Sequence, residues 1–266
     1  MQRIAIVGSG HLAHALWEGW RRNPDPQRTF VLVARSDAHR DLWDSTEWGS
    51  MVSYDPAAIR GSAMVVLAVK PKDAQETVAR IAPYLDGAVL VSPVAGWTIA
   101  QFRELAVQGP LVRIMPNVCA AIGASTTLAV FDRVSDQERQ AVEALLNDCG
   151  SLTVVEESLI NPYTALVGSG PAYIFLLLEA LIEGGRQLGT DVDRTRELVS
   201  SMVEGAARLA RDRSQDTLSE WIKQVASPGG TTEASLAVLN QAGWPALLRE
   251  AVVAASQRAV QLGKPT

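Results

Sequence analysis

Two short segments of the chain carry residue types suited to holding small anions. Near the N-terminus, Gly8-Ser9-Gly10-His11-Leu12-Ala13 follows the apolar run Ile4 to Val7 and opens a stretch with Leu12, Leu16 and Trp20 spaced four apart. A strand, a glycine turn and a helix in that order is the arrangement that receives a dinucleotide pyrophosphate. Glycine at 8 permits the tight turn, glycine at 10 lets backbone approach the phosphates, and alanine at 13 lets the helix pack close to the strand. The helix N-terminus adds free N–H groups and a partial positive charge. Far along the chain, Ser227-Pro228-Gly229-Gly230-Thr231-Thr232 precedes another helical stretch. Mobile φ/ψ, hydroxyls and free N–H donors make a cradle for a small anion such as a carboxylate, here with no lysine or arginine in it. Taken alone, the segment reads more readily as a helix cap after a loop, and the other motifs reverse that reading.

The end of the second apolar run reads Ala34-Arg35-Ser36, where NAD sites usually place an acidic side chain for the ribose 2′-OH. Arginine and serine instead suit a 2′-phosphate through charge-assisted hydrogen bonds. Asp37 comes one or two positions late. NADPH is therefore the expected cofactor, with NADH as the alternative donor. His11 and His14 flank the glycine turn and read as a loop residue and an ordinary helix residue.

These segments need elements to position them. Ile4 to Val7, Phe30 to Val33, Met64 to Val69 and Ala88 to Val91 are continuous apolar runs, as expected of strands buried on both faces of a parallel sheet. Leu111 to Met115, Ser125 to Val130 and Leu152 to Val155 are further strands, and Ser135 to Glu138 is a capping box. After about residue 156 strand signals stop. Tyr173 to Leu188, Arg194 to Ala210, Leu218 to Ala226, Thr232 to Gln241 and Pro245 to Leu262 read as helices, with Asp193 as an N-cap and Thr217 to Glu220 as a second capping box. The fold expected is α/β: a Rossmann-type sheet domain over 1–156, then an all-helical domain over 157–266. Gly168 to Leu188 is apolar nearly all round, which marks a buried helix and suggests a subunit interface completing the core.

Bulk composition narrows the function classes. The chain has 266 residues, 47% of them hydrophobic, and a net charge of −5 without basic excess. Nucleic-acid binding is not expected. Two cysteines and three histidines form no ligand cluster, so neither a metal nor a disulfide framework is expected. No signal-like start and no run of 18 apolar residues is read, so the expected location is the cytoplasm, with no membrane partner.

Several dense motifs then line up in order: Ala68-Val69-Lys70-Pro71, Ala95-Gly96-Trp97-Thr98, Met115-Pro116-Asn117, Gly168-Ser169-Gly170-Pro171-Ala172-Tyr173 and Val225-Ala226-Ser227-Pro228-Gly229-Gly230-Thr231-Thr232, the last followed by Leu236 and Leu239. Over nearly the full chain they resemble the pyrroline-5-carboxylate reductases. The resemblance implies a Rossmann domain, a helical dimerisation domain, homodimers with higher homo-oligomers left open, and NAD(P)H-dependent reduction of the cyclic imino acid 1-pyrroline-5-carboxylate to L-proline. It implies that Gly8, Gly10, His11 and Leu12 wrap the pyrophosphate, and that Ala34, Arg35 and Ser36 receive the 2′-phosphate end. Val69, Lys70 and Pro71 would border the cofactor, with Ala95 and Asn117 nearer the nicotinamide. Val225, Ser227, Gly229, Gly230, Thr231 and Thr232 would hold the substrate, and Thr232 is the candidate catalytic hydroxyl. Val118-Cys119 stand where the family often has Thr-Pro. Two other readings share the motifs: an NADP-dependent reductase of another cyclic imine or of a keto acid, and a non-catalytic nucleotide-binding paralogue. The β-hydroxyacid dehydrogenases share the architecture but need a lysine in the long helix, and Ala172 to Leu188 has none.

Overall fold

A computed structural model describes residues 2–263; Met1 and 264–266, at the two ends of the expected domains, lie outside the described residues. The first strands and helices alternate: β1 (Gln2–Val7), α1 (His11–Arg22), β2 (Arg28–Val33), α2 (Ser45–Met51), β3 (Val52–Ser53), β4 (Met64–Leu67), α3 (Pro71–Ile81), β5 (Val89–Ser92), α4 (Ile99–Glu104) and β6 (Leu111–Met115). Then come β7 (Ser125–Asp132), α5 (Asp136–Asn147) and β8 (Gly150–Val154). The eight strands form one sheet in the order β3-β2-β1-β4-β5-β6-β7-β8. β1 to β6 run parallel, β7 is antiparallel to β6, and β8 is parallel to β7. The order 3-2-1-4-5-6 is that of a dinucleotide-binding sheet, with its reversal between β1 and β4.

Side chains alternate across the sheet because the strand period is two. Ile4, Ile6, Val66 and Val91 face one layer with Leu16 and Trp20 of α1 and Leu145 of α5. Ala5, Val65, Leu67 and Leu90 face the other with Val78 and Ile81 of α3 and Phe102 of α4. Each large apolar side chain buried in this way contributes roughly 1.5–3 kcal/mol. That both faces are covered explains why these strands read as unbroken apolar runs. β4 ends at Leu67, two residues before the apolar run does, because Ala68 and Val69 turn toward the glycine loop. Cys149 is buried beside the Leu16 carbonyl, and burial pushes its thiol up to about 12.

The capping boxes form at Ser135–Glu138 and Thr217–Glu220. The N-cap before the second long helix of the C-terminal half, α8 (Val192–Asp212), is Asp191 and not Asp193. Asp-Val-Asp offers two acids, and the Asp191 carboxylate accepts the Arg194 N–H at 2.8 Å, leaving Asp193 in the first helical turn.

The remaining helices are α6 (Glu157–Tyr163), α7 (Gly170–Gln187), α9 (Leu218–Val225), α10 (Thr231–Gln241) and α11 (Trp244–Leu262). Strands end at Val154 and helices begin at Glu157. The compact units divide elsewhere: 2–171 with 254–263 form one, and Ala172–Val253 the other. α6 stays with the sheet because Arg113 of β6, only 1% exposed, donates to Glu157 Oε1 at 3.1 Å and to Asn161 Oδ1 at 2.8 Å. Burial pulls the Arg113 guanidinium below its ordinary range while Glu157 pushes back. The Gln101 amide donates to the Gly263 carbonyl, so the end of α11 also belongs to the sheet unit.

α6 and α7 join through a π turn at Thr164–Gly168, closed by the Ser169 N–H on the Thr164 carbonyl at 2.8 Å. The resulting helical stretch, Glu157–Gln187, is by length and composition apolar enough to cross a membrane, which corrects the expectation of no such segment. The same composition suits a helix that packs against another subunit. Within one chain α7 buries none of its residues, contrary to the burial read from its apolar circumference. Phe175 is 56% and Leu176 66% exposed.

Candidate functional site

A cleft of about 230 Å³ opens at the carboxyl ends of β1, β2 and β4, where the strand order reverses. Gly8 leaves β1 with φ at +104°, and a Cβ there would lie 2.4 Å from the Ala68 carbonyl oxygen. Only glycine lets these two strand ends approach so closely. Gly10 is the N-cap of α1 and supplies no capping side chain, and a Cβ built on it would meet nothing within 4 Å. Ala13 is fully buried against the sheet. The first turn of α1 carries no acidic residue, so its unpaired N–H groups and dipole are left for an anion. These features fit a dinucleotide phosphate.

Gly8, Gly10, Ala34, Arg35, Ser36, Val69 and Lys70 line the cleft. His11 and Leu12 start α1, and Pro71 starts α3 with Lys70 as its N-cap; these three are not among the lining residues. Arg35 is 69% exposed, and its guanidinium lies 3.2 Å from Asp73 of α3. Asp37 accepts a hydrogen bond from the Tyr54 hydroxyl, and that contact raises the phenol above its ordinary range. The one acid near the end of β2 is thus engaged by tyrosine, while the arginine faces the cleft. His14 stacks edge-on against Trp43 at 5.2 Å and lies 3.5 Å from Glu18.

Lys72, Arg80 and Tyr54 also line the cleft and were not found from sequence. Lys72 follows directly on Lys70-Pro71 and was within reach of the motif. Arg80 and Tyr54 come from the far end of α3 and from the turn after β3, and no spacing rule connects them to the glycine loop.

Ala95 packs in a small cluster with Met115, Leu128 and Ile160, away from the cleft. Asn117 is buried with both ends of its amide engaged. Its Oδ1 accepts the Cys119 N–H at 3.0 Å, and its Nδ2 donates to the Val167 carbonyl at 3.2 Å. In a regular α-helix that carbonyl would be paired with residue 171, which is proline and has no N–H. The Pro-Asn and Gly-Pro motifs are therefore two sides of one structural contact. Val118 is exposed and Cys119 half-buried in the turn that follows.

The cradle lies in the helical unit. Gly229 takes φ +72°, and the Gly230 N–H closes on the Ser227 carbonyl at 3.0 Å. Gly230 is the N-cap of α10, without a side-chain cap, so Thr231 and Thr232 present first-turn N–H groups. Ser227, Gly229 and Thr231 are exposed and Thr232 half-buried; Val225, at the end of α9, is also exposed. One donor is already used: the Gly229 N–H reaches Glu233 Oε2 at 2.8 Å. The acidic group at this loop is therefore Glu233, four residues downstream of the Gly229 donor. Its i to i+4 spacing was readable.

Comparison with known proteins gives the frame for both segments. Residues 157–262 match the family model for pyrroline-5-carboxylate reductase dimerisation, and residues 3–96 match the model described as NADP oxidoreductase coenzyme F420-dependent. A pyrroline-5-carboxylate reductase of Corynebacterium melassecola is 35% identical over 99% of this chain and 100% of its own length. One from Mycobacterium tuberculosis is 33% identical over 98% of this chain and 97% of its own. The solved Plasmodium falciparum pyrroline carboxylate reductase, with NADP bound, shares the fold at a TM-score of 0.89 with 23% identity, over 99% of this chain and 98% of that one. The resemblance read from the motifs is borne out, and so is the α/β architecture with a helical C-terminal region: the chain belongs to the pyrroline-5-carboxylate reductase family.

Proposed function

We propose that this chain reduces 1-pyrroline-5-carboxylate to L-proline in the cytoplasm, as a homodimer. Residues 1–156 are assigned the cofactor and 157–266 dimerisation and substrate. The observation that carries the reading is the presence, in a chain of this family, of two backbone segments ready for anions: the Gly8–Leu12 turn at the switch point of the sheet, and the Ser227–Thr232 loop. Arg35 and Ser36 at the cleft favour NADPH over NADH.

When bound, the cofactor supplies a hydride to the imine carbon. A protonated C=N bond is already electrophilic, so the work of the chain is to hold and orient. Gly10, His11 and Leu12 are assigned the pyrophosphate, Ala34, Arg35 and Ser36 the 2′-phosphate end, and Val69, Lys70 and Pro71 the flank of the cofactor. Ala95 is assigned to the nicotinamide end, with Asn117 supporting the backbone there. The Gly229 N–H already donates to a carboxylate, that of Glu233. A substrate carboxylate received by Ser227, Gly229, Gly230 and Thr231 takes over that donor and releases Glu233. Val225 supplies apolar contact. The Thr232 hydroxyl accepts the N–H of the protonated imine and so stabilises the reactive form.

The test is purified protein with NADPH and pyrroline-5-carboxylate, followed at the nicotinamide absorbance. Oxidation is expected, and none would overturn the reading. Thr232→Ala is expected to lower kcat/KM by roughly a hundredfold with the Kd for NADPH unchanged; wild-type turnover would remove Thr232 from the chemistry.

A further inference from the structure

The sheet unit contains a tryptophan that touches the glycine loop from outside the cleft. Trp43 is 5% exposed and follows a 3₁₀ turn at Arg40–Leu42. It is not among the residues lining the cleft, yet its Nε1–H donates to the Ser9 carbonyl at 3.0 Å. Its ring is held by neighbours: His14 edge-on at 5.2 Å, Trp48 at 6.3 Å and Trp17 stacked at 6.5 Å. Its backbone lies between two closed turns, with the Trp43 N–H on the Arg40 carbonyl and the Asp44 carboxylate capping α2.

A trans peptide points its C=O and N–H in opposite directions. With the Ser9 carbonyl tied to Trp43, the Gly10 N–H is directed away from the tryptophan. That N–H has no acceptor among the described residues. Gly8 and Gly10 flank Ser9, and glycine at 10 allows φ of either sign, so the peptide between Ser9 and Gly10 can flip at low cost. The loop therefore needs an external hold, and the indole is the side-chain donor placed to give it.

We infer that Trp43 is a positioning residue of the nucleotide site, fixing the Ser9 carbonyl so that the Gly10 N–H is aimed at the cofactor's pyrophosphate. This rests on the nucleotide reading of the cleft given above. Pyrophosphate is common to NADPH and NADH, so the effect of losing the hold is equal for both, unlike the effect of a change at Arg35.

Trp43→Phe keeps an aromatic ring in the cluster and removes the donor. Trp48→Phe is the companion control, since Trp48 shares the cluster without touching Ser9. Dissociation constants for NADPH and NADH are measured by quenching of protein fluorescence, together with kcat at saturating cofactor. In Trp43→Phe both constants are expected to rise by the same factor, about tenfold, with kcat within about twofold of wild type, while Trp48→Phe binds both cofactors as the wild type does. Unchanged binding in Trp43→Phe overturns the inference, and so does an equal loss in Trp48→Phe, which would assign the effect to ring packing. Should Trp43→Phe fail to fold, amide exchange of the unaltered protein decides. NADPH and NADH are expected to slow exchange over 40–48 to the same degree, and slowing confined to 8–13 overturns the role of Trp43. Wild-type protein that binds neither cofactor refutes the reading of the cleft itself, a result separate from all of these.

Discussion

β4, β5 and β6 are buried along their whole length, whereas α7, α8, α9 and α10 bury no residue within the chain. Both regions are rich in apolar residues. In the first, helices on both faces remove that surface from water. In the second, Ile174, Phe175, Leu176, Leu198 and Met202 remain open. An apolar surface of that extent on one chain marks an interaction face, and the stretch is the family's dimerisation domain. The sheet unit completes its core alone, and the helical unit, which matches the dimerisation model, leaves its apolar faces open within the chain. In the homodimer proposed above, the same apolar content encodes two kinds of stability, one independent of protein concentration and one tied to it.

The contrast breaks most directly at Gly8. Gly8→Ala is expected to destabilise the sheet unit by roughly 4 kcal/mol, from backbone strain and collision with the Ala68 carbonyl together, and to abolish NADPH binding; thermal unfolding and cofactor titration check both. Leu176→Glu tests the other side. It is expected to leave cofactor binding intact and to weaken dimer association by about 3 kcal/mol, read by sedimentation across a concentration series. If that variant stays dimeric, α7 does not close its core against a second copy.

Smaller changes sharpen the division inside the sheet unit. Arg35→Ala is expected to weaken NADPH by about tenfold and to leave NADH unchanged. Asp73→Asn frees Arg35 from its resting partner and removes a like charge from the 2′-phosphate end. It is expected to tighten NADPH by roughly twofold, measured against NADH in the same titration.

How much of this was legible depends on how local each feature is. The strands were readable because burial on both faces leaves unbroken apolar runs. The glycine turn and the two capping boxes were readable because their partners lie within a few residues. Asp191 displaced Asp193 as a cap because a two-residue ambiguity is settled by backbone φ/ψ, not by residue type. Trp43 and Tyr54 escaped notice because Ser9 and Asp37 are their partners across loops. Asn117 was assigned to the cofactor end, yet its amide is taken up fifty residues away at Val167. The apolar helix α7 could be recognised as needing cover, but residue types alone did not say whether that cover lay within the chain.

The Asn117 contact also constrains how this chain can vary. Asn117 donates to the Val167 carbonyl where Pro171 withholds the N–H that a regular α-helix would provide. Replacing the proline is expected to offer a local donor and to lower the cost of losing the asparagine. Replacing the asparagine with the proline in place is expected to remove that donor from a half-buried carbonyl. The cost of changing one position is therefore expected to depend on the residue at the other, although fifty-four residues separate them along the chain.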